Sequence, residues 1–435
     1  MEKGLLKGKY FLKSASGRPV SPEYFLDSFK GKPFYEDVCK FVRRVDNDTG
    51  IPFLTKNEFK RAVKFLPKAI LPIYEAEGFV SSCANRVYLR GRRYFLNYQD
   101  KGGADKRSQA EFALDLLRTS IFSDIDLHSI INYSVENAKN LEERMVAGSF
   151  LDLYKNHLMV LFTGLYESMR EDESISDSHY VETRSCVEKI IDGYYSFIIQ
   201  AKRPKEIFPA TDKLAPVFDA IGRVISKTNS IYEGRRYLSR EFDHPGRIVL
   251  YAGHLLSQIK DKNKKYDLLV NLLNGSAEIG LAVQTIDRII GTNNIETTAI
   301  FEVDFARYSR QDRRDADVSS YDGFEKIAIP KRLRHTFRKK VQNKHTLLID
   351  DNLNTGKSLY NVSHALREIA LSVDISVVEV TPFKRVIELI RRQSANKGGF
   401  NEIKLTESDL TYAPIGWWRD QVELVEKQMI KYIIQ

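Results

Sequence analysis

The chain has 435 residues, 43% of them hydrophobic, and its 67 basic and 58 acidic side chains leave a formal charge of +9. That length suggests two or three domains, and that hydrophobic share excludes a disordered chain. No apolar run is long enough to span a bilayer, Met1-Glu2-Lys3-Gly4 opens no secretory signal pattern, and Cys39, Cys83 and Cys186 are scattered without ligand spacing, so a membrane protein and a disulfide scaffold are not expected and the compartment reads as reducing and cytoplasmic.

Residues 1–235 read as a mainly α-helical domain. Apolar residues recur at three- and four-residue steps in Gln109–Arg118, Ile130–Val146, Phe150–Met169 and Val181–Ile199, and few runs alternate as strands. Lys202-Arg203-Pro204-Lys205 and Pro209 interrupt the pattern. Asp46-Asn47-Asp48-Thr49-Gly50 has the look of a calcium loop. An EF-hand needs glycine at position six and an acid at twelve, and those places hold Ile51 and Asn57, so the stretch is an ordinary polar turn. From Arg86 to Phe95 basic and aromatic residues interleave. Such a stretch can follow a phosphate backbone, but a surface hairpin with solvated arginines is the simpler reading. No catalytic or metal spacing appears in this half. Its expected role is to bind a partner, protein or nucleic acid.

The composition changes around Tyr232–Gly246, and we place a domain boundary near residue 236, with a second domain over 236–435. There the pattern alternates between strand and helix, as in an α/β doubly wound parallel sheet. Ile248–Ile259 reads as a helix and Tyr266–Leu273 as a strand. The loop Asn274-Gly275-Ser276-Ala277 follows, then a helix from Glu278 to Ile289 and a strand over Glu296–Val303. The long polar segment Asp304–His345 contains the basic run Lys331-Arg332-Leu333-Arg334-His335, extended by Arg338-Lys339-Lys340. That run can neutralise a pyrophosphate, bind nucleic acid or form a solvated helix face. Ile375–Val380 reads as a strand, and Phe383–Arg392 and Val422–Ile434 as helices.

Between these elements lies the most informative stretch, Thr346 to Ser358. An apolar run ends in Asp350-Asp351, a polar loop Asn352-Leu353-Asn354-Thr355-Gly356 follows, and Leu359, Val362, Leu366 and Ile369 then recur at helical spacing. A helix start offers unpaired N–H groups and the positive end of its dipole to a phosphate, and Gly356 lets the backbone approach closely. The two carboxylates can accept from sugar hydroxyls or hold a hydrated Mg²⁺. Gly356-Lys357-Ser358 is not the end of a P-loop, because the glycine required five residues earlier is Asp351.

This stretch resembles the signature of the type I phosphoribosyltransferases, and the resemblance extends over roughly residues 240–435. It implies that Asp350 and Asp351 face the ribose of phosphoribosyl pyrophosphate (PRPP) and hold Mg²⁺ through water. It implies that Asn354, Thr355, Gly356, Lys357 and Ser358 cradle the 5′-phosphate, and that Asn274, Gly275, Ser276 and Ala277 form the pyrophosphate loop. Asp304–His345 takes the place of the family's closing loop, and Ser320-Tyr321 matches a Ser-Tyr pair of purine enzymes. Two positions depart from the pattern: Asn352 stands where an apolar residue is usual, and Asn354 where hypoxanthine-guanine enzymes carry a proton-handling aspartate. A neutral amide cannot act as a general base. Glu302, Asp304 and Tyr321 are the remaining catalytic candidates. Tyr412, Trp417 or Trp418 can stack on a base or fill a terminal core.

The resemblance implies transfer of phosphoribose to a nucleobase or another nucleophile, with release of pyrophosphate. Two alternatives stand beside it. One is an effector of a bacterial antiphage or toxin system acting with a protein or nucleic-acid partner, and the other a non-catalytic sensor of PRPP or a nucleotide. The acceptor is not encoded in any motif, and an oligomer is compatible with all three.

Overall fold

A computed structural model describes residues 22–46, 58, 61–66, 114, 118, 127–205, 208, 211–226, 245–301, 329–353, 356–380 and 405–417. The protein is an α/β structure with a helical amino-terminal region. That region contains α1 (Tyr35–Asp46), α2 (Leu127–Asn137), α3 (Leu141–Glu171), α4 (Asp177–Gln200) and α5 (Thr211–Ile225). Two 3₁₀ turns over Pro22–Phe29, kinked at Leu26, precede α1. Local signals set the helix ends. Asn140 accepts from the Glu143 N–H at 2.9 Å while the Glu143 carboxylate accepts from the Lys139 N–H at 2.7 Å, a reciprocal cap that starts α3. Ser176 caps α4 by accepting from the Ser178 N–H.

The rest of the chain forms α6 (Pro245–Asp261), β1 (Tyr266–Leu272), α7 (Leu273–Ile290), β2 (Ile295–Phe301), α8 (Lys331–Val341), β3 (His345–Leu353), α9 (Lys357–Arg367), β4 (Ser372–Val380) and the two-residue β5 (Gly416–Trp417). The strands make one all-parallel sheet in the order β2-β1-β3-β4-β5. Parallel strands covered on both faces need continuous apolar runs, and Thr346 to Ile349 in β3 and Leu268 to Val270 in β1 are buried accordingly. The crossovers β1-α7-β2 and β3-α9-β4 leave in opposite directions, so right-handed connections put α7 and α9 on opposite faces.

The helical region and the sheet share one hydrophobic core. Helix α7 lies against α3 and α4, and α6 lies against the Pro22–Phe29 turns. The latter contact needs Gly253, where a Cβ would stand 2.8 Å from the Phe29 ring and 2.9 Å from the Phe25 carbonyl. The expected boundary near residue 236 falls outside the described residues. No helix among the described residues is long and apolar enough to cross a membrane.

One expectation needs correction. The segment Asn274-Gly275-Ser276-Ala277 is not a loop: β1 ends at Leu272 and α7 begins at Leu273, so these residues form the helix's first turn. Burial overrides their weak helix propensity. Ser276 and Ala277 are fully buried, and the Ser276 hydroxyl donates to the Leu272 carbonyl at 2.7 Å or the Ile349 carbonyl at 3.1 Å. The basic run at the end of the Asp304–His345 segment is helix α8, in keeping with the helix-face reading of that run. The segments 86–95, 302–328, 383–392 and 422–434 lie outside the described residues.

Candidate functional site

The strand order reverses between β1 and β3, and in open parallel sheets ligands bind in the crevice outside the carboxyl ends of the strands at such a point. The carboxyl end of β3 carries Asp350 and Asp351. Asp350 is 8% exposed, its backbone pairs with Val377 of β4, and its Oδ1 accepts from the Asp351 N–H at 2.9 Å. Asp351 is half-buried. On the β1 side the chain enters α7 with Leu272 as the cap, a residue with no acceptor to offer the first N–H groups. On the β3 side α9 begins after Gly356, which equally has no capping side chain. Two helix N-termini without side-chain caps therefore flank two carboxylates. Each N-terminus suits a phosphate group.

Gly356 fits its place for two reasons. Its φ is +68°, in the left-handed region. A Cβ there would also lie 2.5 Å from Leu405 Cβ and 2.8 Å from the Leu405 amide nitrogen. Leu405, far along the sequence, thus presses on the start of α9.

A second set of side chains supports the same end of the sheet. Arg247, in the first turn of α6, pairs with Glu379 of β4 at 2.5 Å, with both side chains largely buried. Glu379 is in register with Asn352 of β3 and Gly416 of β5. Tyr251, one turn further along α6, donates to Ser376 Oγ at 2.8 Å. Burial pushes the Tyr251 phenol well above its ordinary range; Ser376 opposes the shift and the Asp350 carboxylate adds to it. The phenol therefore stays a donor. Neither Arg247 nor Glu379 was picked out from the sequence. The available signal was a lone acid in the apolar run Val377-Val378-Glu379-Val380, which requires a buried cation once the strand is central.

A scan against protein-family models and a search of curated proteins find no match to this chain.

The remaining candidates divide by position. Lys357 opens α9 and Ser358, half-buried, lies in its first turn. Ser276 and Ala277 are buried in the first turn of α7, to which Asn274 and Gly275 also belong. Trp417 is brought to the same end of the sheet, its backbone in register with Val380. Asn354, Thr355, Glu302, Asp304, Tyr321 and Trp418 lie outside the described residues.

Tyr412 is a correction. It is 1% exposed, its hydroxyl is hydrogen-bonded to the Tyr266 hydroxyl, and the Lys262 ammonium sits 5.1 Å from its ring centroid. The chain beyond Leu405 runs parallel to β4: the Thr411 N–H donates to Ile375 and the Ile415 N–H to Val378. Tyr412 therefore packs at the amino ends of the strands. The crevice is at the other end, roughly 20 Å away for strands of this length. Tyr412 belongs to the core and does not stack on a ligand at Asp350.

Among the described residues no three His, Cys, Asp or Glu side chains gather as a metal site. Mg²⁺ does not need such a cage, since one or two carboxylates plus a ligand's phosphates are its usual partners. The adjacent carboxylates at the end of β3 fit that chemistry.

Proposed function

We propose that the carboxyl end of the sheet binds PRPP as its Mg²⁺ complex and transfers phosphoribose to a nucleobase or another nucleophile. One observation carries this reading: Asp350 and Asp351 lie near the carboxyl end of β3 at the β1/β3 switch point, between the starts of α7 and α9. The start of α9 suits the 5′-phosphate, the carboxylates suit the ribose hydroxyls, and the start of α7 suits the pyrophosphate. In the reaction the bond from the anomeric carbon to pyrophosphate breaks and a bond from that carbon to the nucleophile forms. Positive charge develops on the ribose in between, and carboxylates beside the ribose would favour it. When bound, Mg²⁺ held through water by Asp350 and Asp351 would neutralise charge on the departing pyrophosphate. The protein's own contribution is to orient the sugar and exclude water.

A second reading, a PRPP sensor without chemistry, is favoured by the direct entry of β1 into α7, which leaves no separate loop at residues 274–277 to wrap a pyrophosphate. Titration calorimetry of the full chain with Mg²⁺-PRPP, paired with an assay of pyrophosphate release over a panel of bases, tests both. Binding with release supports the transferase and binding without release supports the sensor. No heat at millimolar ligand removes both.

A further inference from the structure

We propose that α8 and the turn after it form a docking surface for the phosphate backbone of a nucleic acid. The helix carries six Lys or Arg residues and one His among its eleven, and no acid. Phe337 and Val341 are buried and turn the apolar stripe of the helix inward, so Arg338 and Lys339 face solvent, Lys340 flanks the stripe with its ammonium partly covered, and Lys344 and His345 extend the exposed basic surface beyond the helix.

The surface is rigidly mounted. The Arg332 guanidinium donates to the Ile175 carbonyl, and the first turn is held to the α3–α4 connection by Lys331–Glu173 at 3.1 Å and Arg332–Asp177 at 3.6 Å. Lys344 lies 3.9 Å from Asp267. At the last turn the cations crowd. Burial and then Arg184 hold the Lys340 ammonium below its ordinary value, against the opposing pull of Glu188.

The helix dipole does not account for this pattern. It favours cations in the last turn but disfavours Lys331 and Arg332 in the first. A membrane-surface helix needs an apolar face, and here Phe337 is buried and Leu333 half-buried. A phosphate backbone needs cations alone. Eleven helical residues extend about 16 Å, the axial reach of about five phosphates on one duplex strand. With no exposed aromatic residue on α8 to stack on a base, its contacts are with the backbone, which carries no sequence information. The last turn adjoins the amino end of β3, opposite to the end bearing Asp350, so this surface does not depend on PRPP.

The test uses the full chain and fluorescence anisotropy with a labelled mixed-sequence DNA duplex and a labelled single-stranded RNA, across a salt series. Binding of either should weaken with salt at a log–log slope of about −3, and Arg338→Gln with Lys339→Gln should reduce that slope by about 2. A charge-matched control, Lys202→Gln with Lys205→Gln at exposed positions far along the chain, should leave the slope unchanged. Melting temperatures of both variants should match the parent. Absence of binding to either oligonucleotide at low salt overturns the proposal. So does an equal loss in both double variants, which means net charge rather than α8. Binding to anionic phospholipid vesicles without oligonucleotide binding overturns it in favour of a membrane surface.

Discussion

Lys155 of α3 and Glu278 of α7 form a fully buried ion pair that ties the helical region to the helix whose first turn borders the crevice. Lys155 also holds Asp152 at 2.7 Å and lies 4.7 Å from the Tyr194 ring centroid, while the Tyr195 hydroxyl donates to Glu278 at 3.3 Å. Burial pushes the Asp152 carboxyl up, with Lys155 opposing. For Lys155 itself burial acts downward, but the two carboxylates hold its ammonium above the ordinary value. The one cation between two carboxylates is therefore what makes their burial tolerable.

Lys155→Met should leave Asp152 and Glu278 buried without a cation and cost about 3–5 kcal/mol. Adding Asp152→Asn and Glu278→Gln to Lys155→Met should restore most of that loss, because no charge is then left unpaired. Urea unfolding read by circular dichroism measures both.

Gly356→Ala places a side chain on a left-handed residue and against Leu405. The backbone strain costs about 1–2 kcal/mol and the overpacking about 1–3 kcal/mol. Leu405→Ala should give no relief, since the contacts are with Leu405 Cβ, Cα and amide nitrogen, all of which alanine retains. Thermal melts of the single and double variants check this.

Asp350→Asn and Asp351→Asn keep shape and remove charge. Each should weaken Mg²⁺-PRPP binding by about 1.5–3 kcal/mol, the value of a charge-assisted hydrogen bond. Stability without ligand should change little, because the amide oxygen introduced by Asp350→Asn can still accept from the Asp351 N–H. Calorimetry for affinity and melting curves for stability separate the two effects. A large fall in unliganded stability with affinity retained would assign both carboxylates to the fold instead.

Asp374 determines an acid limb. Burial disfavours its ionisation, but bonds from Lys264 at 2.5 Å, Tyr266 at 2.6 Å and Thr411 at 3.2 Å outweigh it and hold the carboxyl below its ordinary 3.8. A folded-state value below the unfolded one means stability that is present above about pH 4 and lost as pH falls through the folded-state value. Asp374→Asn should flatten that acid limb relative to the parent while leaving the plateau at higher pH less stable. Denaturant midpoints measured from neutral pH downward show the difference.

The sequence alone determined what local chemistry determines. An apolar run ending in Asp350-Asp351, a glycine and then a helical repeat reads as strand, turn and helix, and β3 and α9 follow that order, although β3 runs on through Asn352 and Leu353, which the pattern assigned to the loop. Alternating strand and helix likewise implied the parallel sheet. Tertiary structure decided the rest, because it depends on partners distant in sequence. Asn274 to Ala277 look like a loop in isolation, yet they are helical because Ser276 bonds to strand carbonyls and is buried beneath the sheet end. Tyr412 looks like a ligand platform, yet the path of the chain beside β4 takes it to the wrong end of the strands. Arg247 with Glu379, and Lys155 with Glu278 across 123 residues, follow no local spacing at all. Each of these charges became tolerable inside the protein only when packing brought its partner to it, and that encounter is a property of the folded chain rather than of any stretch within it.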